Sequence, residues 1–305
     1  QVPGGIDGVT GLSAGGTHTL AVKADGTVMA WGDNTWDQCR VPADLSGVVA
    51  VAAGATHSLA VRADGTVVAW GDDQHHKATV PAGLGDVIAV AAGANHSLAL
   101  KRDGSVVAWG YDNDNAATPP ADLAGVTAVA AGVDDSLALK SDGTVVAWGR
   151  NQEGQTNVAR SLTGVVAISA GFFHNLALTS AGTVVAWGDD SSGQTDVPAG
   201  LTGVVAIAAG GDNSFALKND GSVVAWGGRV GNPEPVPADL AGVVAISAGG
   251  DHVVALTRDV ERPSPSPSSP SSAPTAPSTP KPLPALSASG RPTVSGTAKV
   301  GATLT

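Results

Sequence analysis

Tryptophan recurs in this chain with a period that leaves little freedom for the fold. Trp31, Trp70, Trp109, Trp148, Trp187 and Trp226 follow one another at 39-residue intervals, each heading a Trp-Gly pair. Gly15, Gly54, Gly93, Gly132, Gly171, Gly210 and Gly249 keep the same interval, and each opens an Ala-Gly-x-x-[His/Asp/Asn] segment. A fixed period of this length marks a repeat architecture, in which each unit buries its apolar face only by packing on the next.

Inside a unit, Val48 to Ala53 is a continuous apolar run, and His57 to Arg62 alternates, with His57, Leu59 and Val61 on one face and Ser58, Ala60 and Arg62 on the other. Asp64-Gly65 then leads into Thr66 to Trp70, a hairpin signal that recurs at Asp25-Gly26, Asp103-Gly104, Asp142-Gly143 and Asp220-Gly221, with Ala181-Gly182 as a variant. A short fourth strand is expected before Val-Pro, as at Val41-Pro42, Val80-Pro81, Val197-Pro198 and Val236-Pro237, where proline suits an edge. Four antiparallel strands per repeat describe propeller blades, and the capping units of a linear solenoid are missing. The expected fold is all-β, a seven-bladed β-propeller over residues 1–258 with an incomplete closing blade, since there are seven glycine-led units and only six Trp-Gly pairs.

The recurring pattern G-x-x-H-[ST]-L-A-[VL]-x-x-D-G-[TS]-V-x-A-W-G resembles the regulator of chromosome condensation repeat. The longer cadence D-G-x-V-x-A-W-G-x-N-x-x-G-Q-x-x-V-P is similar to the bacterial members, including secreted β-lactamase inhibitory propellers. The resemblance implies a seventh blade closed by pairing N-terminal with C-terminal strands. Gln1-Val2-Pro3 corresponds to the end of a blade, so one or two strands, and with them a signal peptide, are expected upstream of Gln1.

A net charge of −11 sets up repulsion against a phosphate backbone, so nucleic acid is not an expected partner. No apolar run reaches membrane-spanning length, so no membrane insertion is expected, and the single cysteine, Cys39, offers no intrachain disulfide. From Arg262 the composition turns to Pro, Ser, Thr and Ala, which reads as a disordered spacer over 259–290. Residues 291–305 look like the opening of an immunoglobulin-like surface repeat. Such spacers resemble those of secreted or wall-associated proteins, which places this chain outside the cell or on the cell wall.

Because strand direction alternates, the Ala-Gly-x-x loops and the loops after Trp-Gly should share one face, with the Asp-Gly hairpins on the other. Unit by unit the hairpin face is monotonous, whereas the opposite face varies, and variable loops on a rigid frame are where binding concentrates. Carboxylates collect there at Asp72, Asp73, Asp112, Asp114, Asp134, Asp189, Asp190 and Asp212, which favours a protein partner with a basic or polar surface, although Asp also serves turns. Trp36, Tyr111, Phe172 and Phe173 are the aromatic candidates for anchoring a partner. The in-register tryptophans and the histidines His18, His57, His96, His174 and His252 read as packing and hydrogen-bonding positions, since Asp135 and Asn213 replace histidine in two units.

No metal or cofactor is expected. His75-His76 has no third ligand nearby, and Asp112 to Asn115 lacks the downstream glutamate of a calcium loop. P-loop, G-x-S-x-G and H-E-x-x-H motifs do not occur. The resulting expectation is a monomeric, non-enzymatic protein-binding propeller. Inhibition of a β-lactamase or other cell-wall enzyme and guanine-nucleotide exchange are the alternatives that the resemblance raises.

Overall fold

The computed structural model describes residues 2–4, 6–228, 236–237 and 240–258, and the backbone of 298–304. The spacer expected over 259–290 lies outside the described residues. Among the described residues there are seven three-stranded antiparallel sheets. The first blade comprises β1 (Val9–Ala14), β2 (His18–Lys23) and β3 (Val28–Gly32). The second comprises β4 (Val48–Ala53), β5 (His57–Arg62) and β6 (Val67–Gly71), and the third β7 (Val87–Ala92), β8 (His96–Lys101) and β9 (Val106–Gly110). The fourth comprises β10 (Val126–Ala131), β11 (Asp135–Lys140) and β12 (Val145–Gly149), and the fifth β13 (Val165–Ala170), β14 (His174–Thr179) and β15 (Val184–Gly188). The sixth comprises β16 (Val204–Gly210), β17 (Asn213–Lys218) and β18 (Val223–Gly227), and the seventh β19 (Val243–Ala248), β20 (Val253–Arg258) and β21 (Ala298–Leu304).

The first strand of each blade lies innermost, beside its counterparts in the neighbouring blades, and β19 of the last blade meets β1 of the first. Each first strand is bulged at its start, as between Val48 and Ala50, which sharpens its twist against the middle strand. The middle strand is buried on both faces, and its alternation explains the packing. Leu98 and Leu100 lie on one face and meet Ala138 and Trp148 of the next blade, so a large face always rests on a small one. Leu20 meets Ala60 in the same way, and Leu256 meets Ala21, which closes the ring.

Glycine is required where the blades converge. A Cβ on Gly54 would stand 2.7 Å from the carbonyl oxygen of Gly93, and one on Gly93 would stand 2.5 Å from that of Gly132. The space is taken by backbone bonds between blades: Gly16 donates to Gly54 O at 3.0 Å, Ala55 to Gly93 O at 3.2 Å, and Gly250 to Gly15 O at 3.0 Å across the closure.

Two expectations need correction. Among the described residues the short fourth strand does not form. Residues 33–47 are turns instead, with Val41 N–H on Cys39 O and Leu45 N–H on Pro42 O, both at 3.0 Å. Trp36 and Cys39 N–H are bonded inside the loop, to Gln38 Oε1 and Asn34 Oδ1, and Gln38 O is taken by the adjoining blade, which leaves no ladder to build. Ala298–Leu304, expected to open an immunoglobulin-like repeat, pairs with β20 as the outer strand of the seventh blade, from Arg258↔Ala298 to Val253↔Leu304. An outer edge with free N–H and C=O groups accepts an extended segment readily, here with a register irregularity between Val254 and Ala255.

The large-on-small contact predicts opposite intolerances at one interface. Leu98→Ala should lower the unfolding free energy by about 2–5 kcal/mol. Ala138→Leu should lower it by about 1–3 kcal/mol through overpacking. Equilibrium urea denaturation measures both, and a shift below half a unit of kcal/mol in either would contradict the packing described.

Candidate protein-binding face

The Ala-Gly-x-x loops and the loops after Trp-Gly do share a face. Asp33 N–H bonds Thr17 O at 3.0 Å, Tyr111 N–H bonds Asn95 O at 2.9 Å, and Asp189 N–H bonds Phe173 O at 2.9 Å, so each pair of loops is tied at its base. On the opposite face the Asp-Gly hairpins repeat one turn, in which Asp25, Asp64, Asp103, Asp142 and Asp220 each accept from a Thr or Ser two residues on.

Beneath the variable face lies a repeated polar joint. His18 Nε2 is 2.9 Å from Ser58 Oγ, which donates to Gln38 O at 2.9 Å, and Trp70 Nε1 donates to that same carbonyl at 2.9 Å. Because the serine spends its proton on the carbonyl, the imidazole must donate from Nε2, which fixes its tautomer. His57 with Ser97, Lys77 O and Trp109 forms the same joint one blade on, as does His96 with Ser136, Ala116 O and Trp148. The in-register histidines and tryptophans are therefore structural. Burial, the leading cause, pushes His57 down to about 3 and His18, His96 and His174 to about 4, so all four are neutral. Asp135 and Asn175 replace the His–Ser pair between the fourth and fifth blades, with Asn175 Nδ2 on Asp135 Oδ2 and on Gln155 O, each at 2.9 Å. Burial raises Asp135 to about 7, with the Asn175 hydrogen bond opposing.

Several of the carboxylates proposed for partner binding turn out to build the loops. Asp72 is buried, with its carboxylate 2.8 Å from Lys77 Nζ and 2.9 Å from Thr56 Oγ1. Burial pushes it up, but the Lys77 ammonium, the Gln74 N–H and the Thr56 hydroxyl outweigh this and hold it below the usual carboxylate range. It faces inward because Lys77 occupies the register of Gln38 and Gln194, whose amides bond Asp33 and Asp189. Asp73, Asp112 and Asp190 are exposed, yet each accepts the N–H five residues on, from Ala78, Ala117 and Thr195. Asp114 is exposed. Asp134 is half-buried and raised by desolvation and by Asp114, with Arg150 opposing.

The aromatics divide into separate places. Trp36 is 46% exposed on the loop after β3. Tyr111 packs against His75 with ring centres 4.8 Å apart and ring planes tilted by 58°. Phe172 and Phe173, with centres 6.4 Å apart, line a groove of about 690 Å³ together with Glu153, Asp189, Asp212 and Asp251. Glu153 and Asp251 belong to the acidic residues that the sequence places on the variable face, and Arg150 opens one of its variable loops, but sequence reasoning did not single out Arg150 as a partner of Phe173. Arg150 lies 4.7 Å over the Phe173 ring and 2.8 Å from Glu153. The available signal was Arg150 itself, a cation in the register of Asp33, Asp72 and Asp189. Among the described residues, no group of three His, Cys, Asp or Glu side chains is placed to hold a metal, and no helix is long and apolar enough to cross a membrane.

A closed ring with one uniform face and one individual face is a β-propeller of the kind that presents loops to other molecules. The chain belongs to the Regulator of chromosome condensation (RCC1) repeat family, whose repeat matches residues 9–35, 48–76, 87–116, 126–155, 165–194 and 204–228, more than half of the chain. Among solved structures, it is similar to Prp20p of Saccharomyces cerevisiae at 20% identity and a TM-score of 0.67, over 79% of this chain and 80% of that one. It is similar to the ectodomain of the Physcomitrella patens receptor kinase CR4 at 22% identity and a TM-score of 0.70, over 84% and 72%. It is also similar to human WBSCR16 at 22% identity and a TM-score of 0.66, over 82% and 87%. At these identities the likeness shows the fold. No curated protein sequence matches the chain.

Removing one member of the buried Lys77–Asp72 pair leaves an uncompensated charge, so Lys77→Met should cost about 3–5 kcal/mol by urea denaturation. The joint Lys77→Met/Asp72→Leu should recover most of that loss; no recovery would contradict the pairing. The joints also set the pH response. The histidines are depressed on folding, so their contribution is complete above about 6.5 and drains as pH falls toward about 4. Asp135 is raised, so its contribution is complete below its ordinary 3.8 and is lost as pH rises through about 7. With four histidines against one aspartate, melting temperature should fall between pH 7 and pH 4.5. Asp135→Asn should make that fall steeper by removing the opposing term.

Proposed function

We propose that this chain is a monomeric, non-catalytic protein-binding propeller that works outside the cell or on the cell wall and engages its partner through the variable acidic face. The carrying observation is where seven-fold symmetry fails. The hairpin face repeats one turn, while the opposite face carries Trp36, Tyr111, Phe172 and Phe173, each on a loop held by hydrogen bonds to its neighbours. Rigid loops with exposed aromatics limit the ordering cost of association. The fold supports a binding or regulatory role, and Prp20p, a structural neighbour, has binding properties toward Gsp1p and histones. The negative face favours a basic or polar partner surface and faster encounter. The extracellular setting is supported by the Pro/Ser/Thr-rich composition after Arg262. Occlusion of a β-lactamase or other cell-wall enzyme is the second reading, favoured by Phe172, which is exposed yet lines both the central channel and the groove.

Affinity capture from culture supernatant and wall extract, with partners identified by mass spectrometry, tests this reading. Phe172→Ala/Phe173→Ala and Trp36→Ala/Tyr111→Ala should each deplete the partner. A triple change on the hairpin face, Asp25→Ala/Asp64→Ala/Asp103→Ala, should leave it bound. The reverse pattern would move the binding surface to the other face.

A further inference from the structure

The groove over the fifth to seventh blades is where the ring departs furthest from its own repeat. At the Ala-Gly-x-x position, Phe172 stands where the other units carry Gly16, Ala55, Ala94, Val133, Gly211 and Gly250. The backbone responds around it: Val133 N–H goes to Phe172 O at 3.3 Å and Phe172 N–H to Gly211 O at 3.0 Å, one residue beyond the glycine carbonyl used in the first three blades. Gly211 takes the left-handed φ of 55°. The Phe172 ring reaches over the axis toward the seventh blade, so that a Cβ on Gly250 would lie 3.2 Å from its Cζ.

The chemistry of the groove is one-sided. Its ionisable lining residues are Glu153, Asp189, Asp212 and Asp251, all carboxylates, and its apolar walls are Phe172 and Phe173. The molecule already shows what such a surface holds. Arg150 lays its guanidinium 4.7 Å over the Phe173 ring while bonding Glu153 at 2.8 Å, an aromatic face and a carboxylate taking one planar cation. Phe172 and Asp251 line the same groove, a second ring and a second carboxylate. An arginine suits this better than a lysine, because its flat, weakly hydrated fork stacks on a ring while its N–H groups reach a carboxylate.

We infer that this groove is an arginine-recognition site, taking the guanidinium of an extended segment of a partner protein between Phe172 and the carboxylates of the sixth and seventh blades. The inference rests on the proposed use of the variable face and names the chemistry that face selects. Arg150 then acts as a built-in competitor that keeps one half of the groove filled.

The test uses the full chain and a fluorescein-labelled octapeptide, Gly-Ser-Arg-Ala-Gly-Arg-Ser-Gly, beside its citrulline analogue, with affinity read by anisotropy and location by NMR shifts. The arginine peptide should bind at least about tenfold tighter than the citrulline peptide, which keeps the shape and loses the charge. Phe172→Ala, Phe172→Leu and Asp251→Asn should each weaken it about threefold to tenfold, the leucine variant keeping apolar bulk without a π face. Asp25→Ala and Asp64→Ala, on the hairpin face, should leave it unchanged. Equal binding of the citrulline peptide, or wild-type affinity in the groove variants, would overturn the inference. If affinity falls with Trp36→Ala and Asp114→Asn instead, the groove assignment fails and the variable face stands. If the shifts map to the Asp-Gly hairpins, both fail.

Discussion

Everything on the outside of this ring depends on one backbone carbonyl per joint. Gln38 O, Lys77 O, Ala116 O and Gln194 O each accept two hydrogen bonds from the following blade, one from a tryptophan Nε1 and one from a serine Oγ. That carbonyl belongs to the loop connecting two blades, so the same contact that joins the blades also fixes the loop carrying the surface residues. Each bond contributes only about 1 kcal/mol net, but leaving any of these buried groups unpaired costs more than the bond contributes. The joint is therefore best understood as a constraint on geometry.

The constraint explains why the surface looks variable and still behaves as a rigid frame. Between the carbonyl and the preceding Trp-Gly pair there are only a few residues, and these are closed internally by a carboxylate or amide at a fixed register. Asn34 accepts from Cys39 N–H at 2.8 Å and Asn151 from Thr156 N–H at 3.0 Å, and Asp73, Asp112 and Asp190 do the same in their loops. Side chains between these anchors are free to differ without moving the backbone. Trp36 stands in that interval on one loop and Arg150 at the start of another.

The repeat made the blades, the hairpins, the two faces and the structural role of histidine and tryptophan legible in the sequence, because each depends on a residue recurring at one register. What depends on a single joint was harder to see. Asp72 reads as a surface acid until Lys77 is recognised as a replacement for glutamine at the carbonyl position, which turns the carboxylate inward. The acids Asp73, Asp112 and Asp190 read as charge, yet their recurrence opposite an N–H five residues on marks them as loop closures. The fourth strand was expected from Val-Pro spacing alone, whereas the competing claims of the next blade on that segment are not written locally. Nor does any periodicity announce a pairing between β20 and a segment some forty residues further along the chain. A bare sheet edge accepts many sequences.

The joints that depart from the repeat lie under the groove, and this links the interior to the surface. Between the fourth and fifth blades the His–Ser pair has become Asp135–Asn175, with Asn175 Oδ1 buried and unpaired. Between the sixth and seventh, Asn213 stands in the histidine register and Val253 in the hydroxyl register, so no imidazole–hydroxyl bond spans that joint. The closure itself is intact, with His252 Nε2 2.6 Å from Thr19 Oγ1. The least regular part of the ring is thus not its seam but the arc from the fourth to the seventh blade, the arc that carries Arg150, Phe172, Phe173 and Asp251. On the fourth-blade side of Phe172 the joint is altered, while on the sixth-blade side His174 Nε2 keeps its 2.9 Å contact with Ser214 Oγ, and the peptide shifts by one residue across both. The Phe172 loop stays tied at its base, with Asp189 N–H on Phe173 O at 2.9 Å, so the shift is confined to the inner end of the loop and the individuality of the surface arises above a frame that holds.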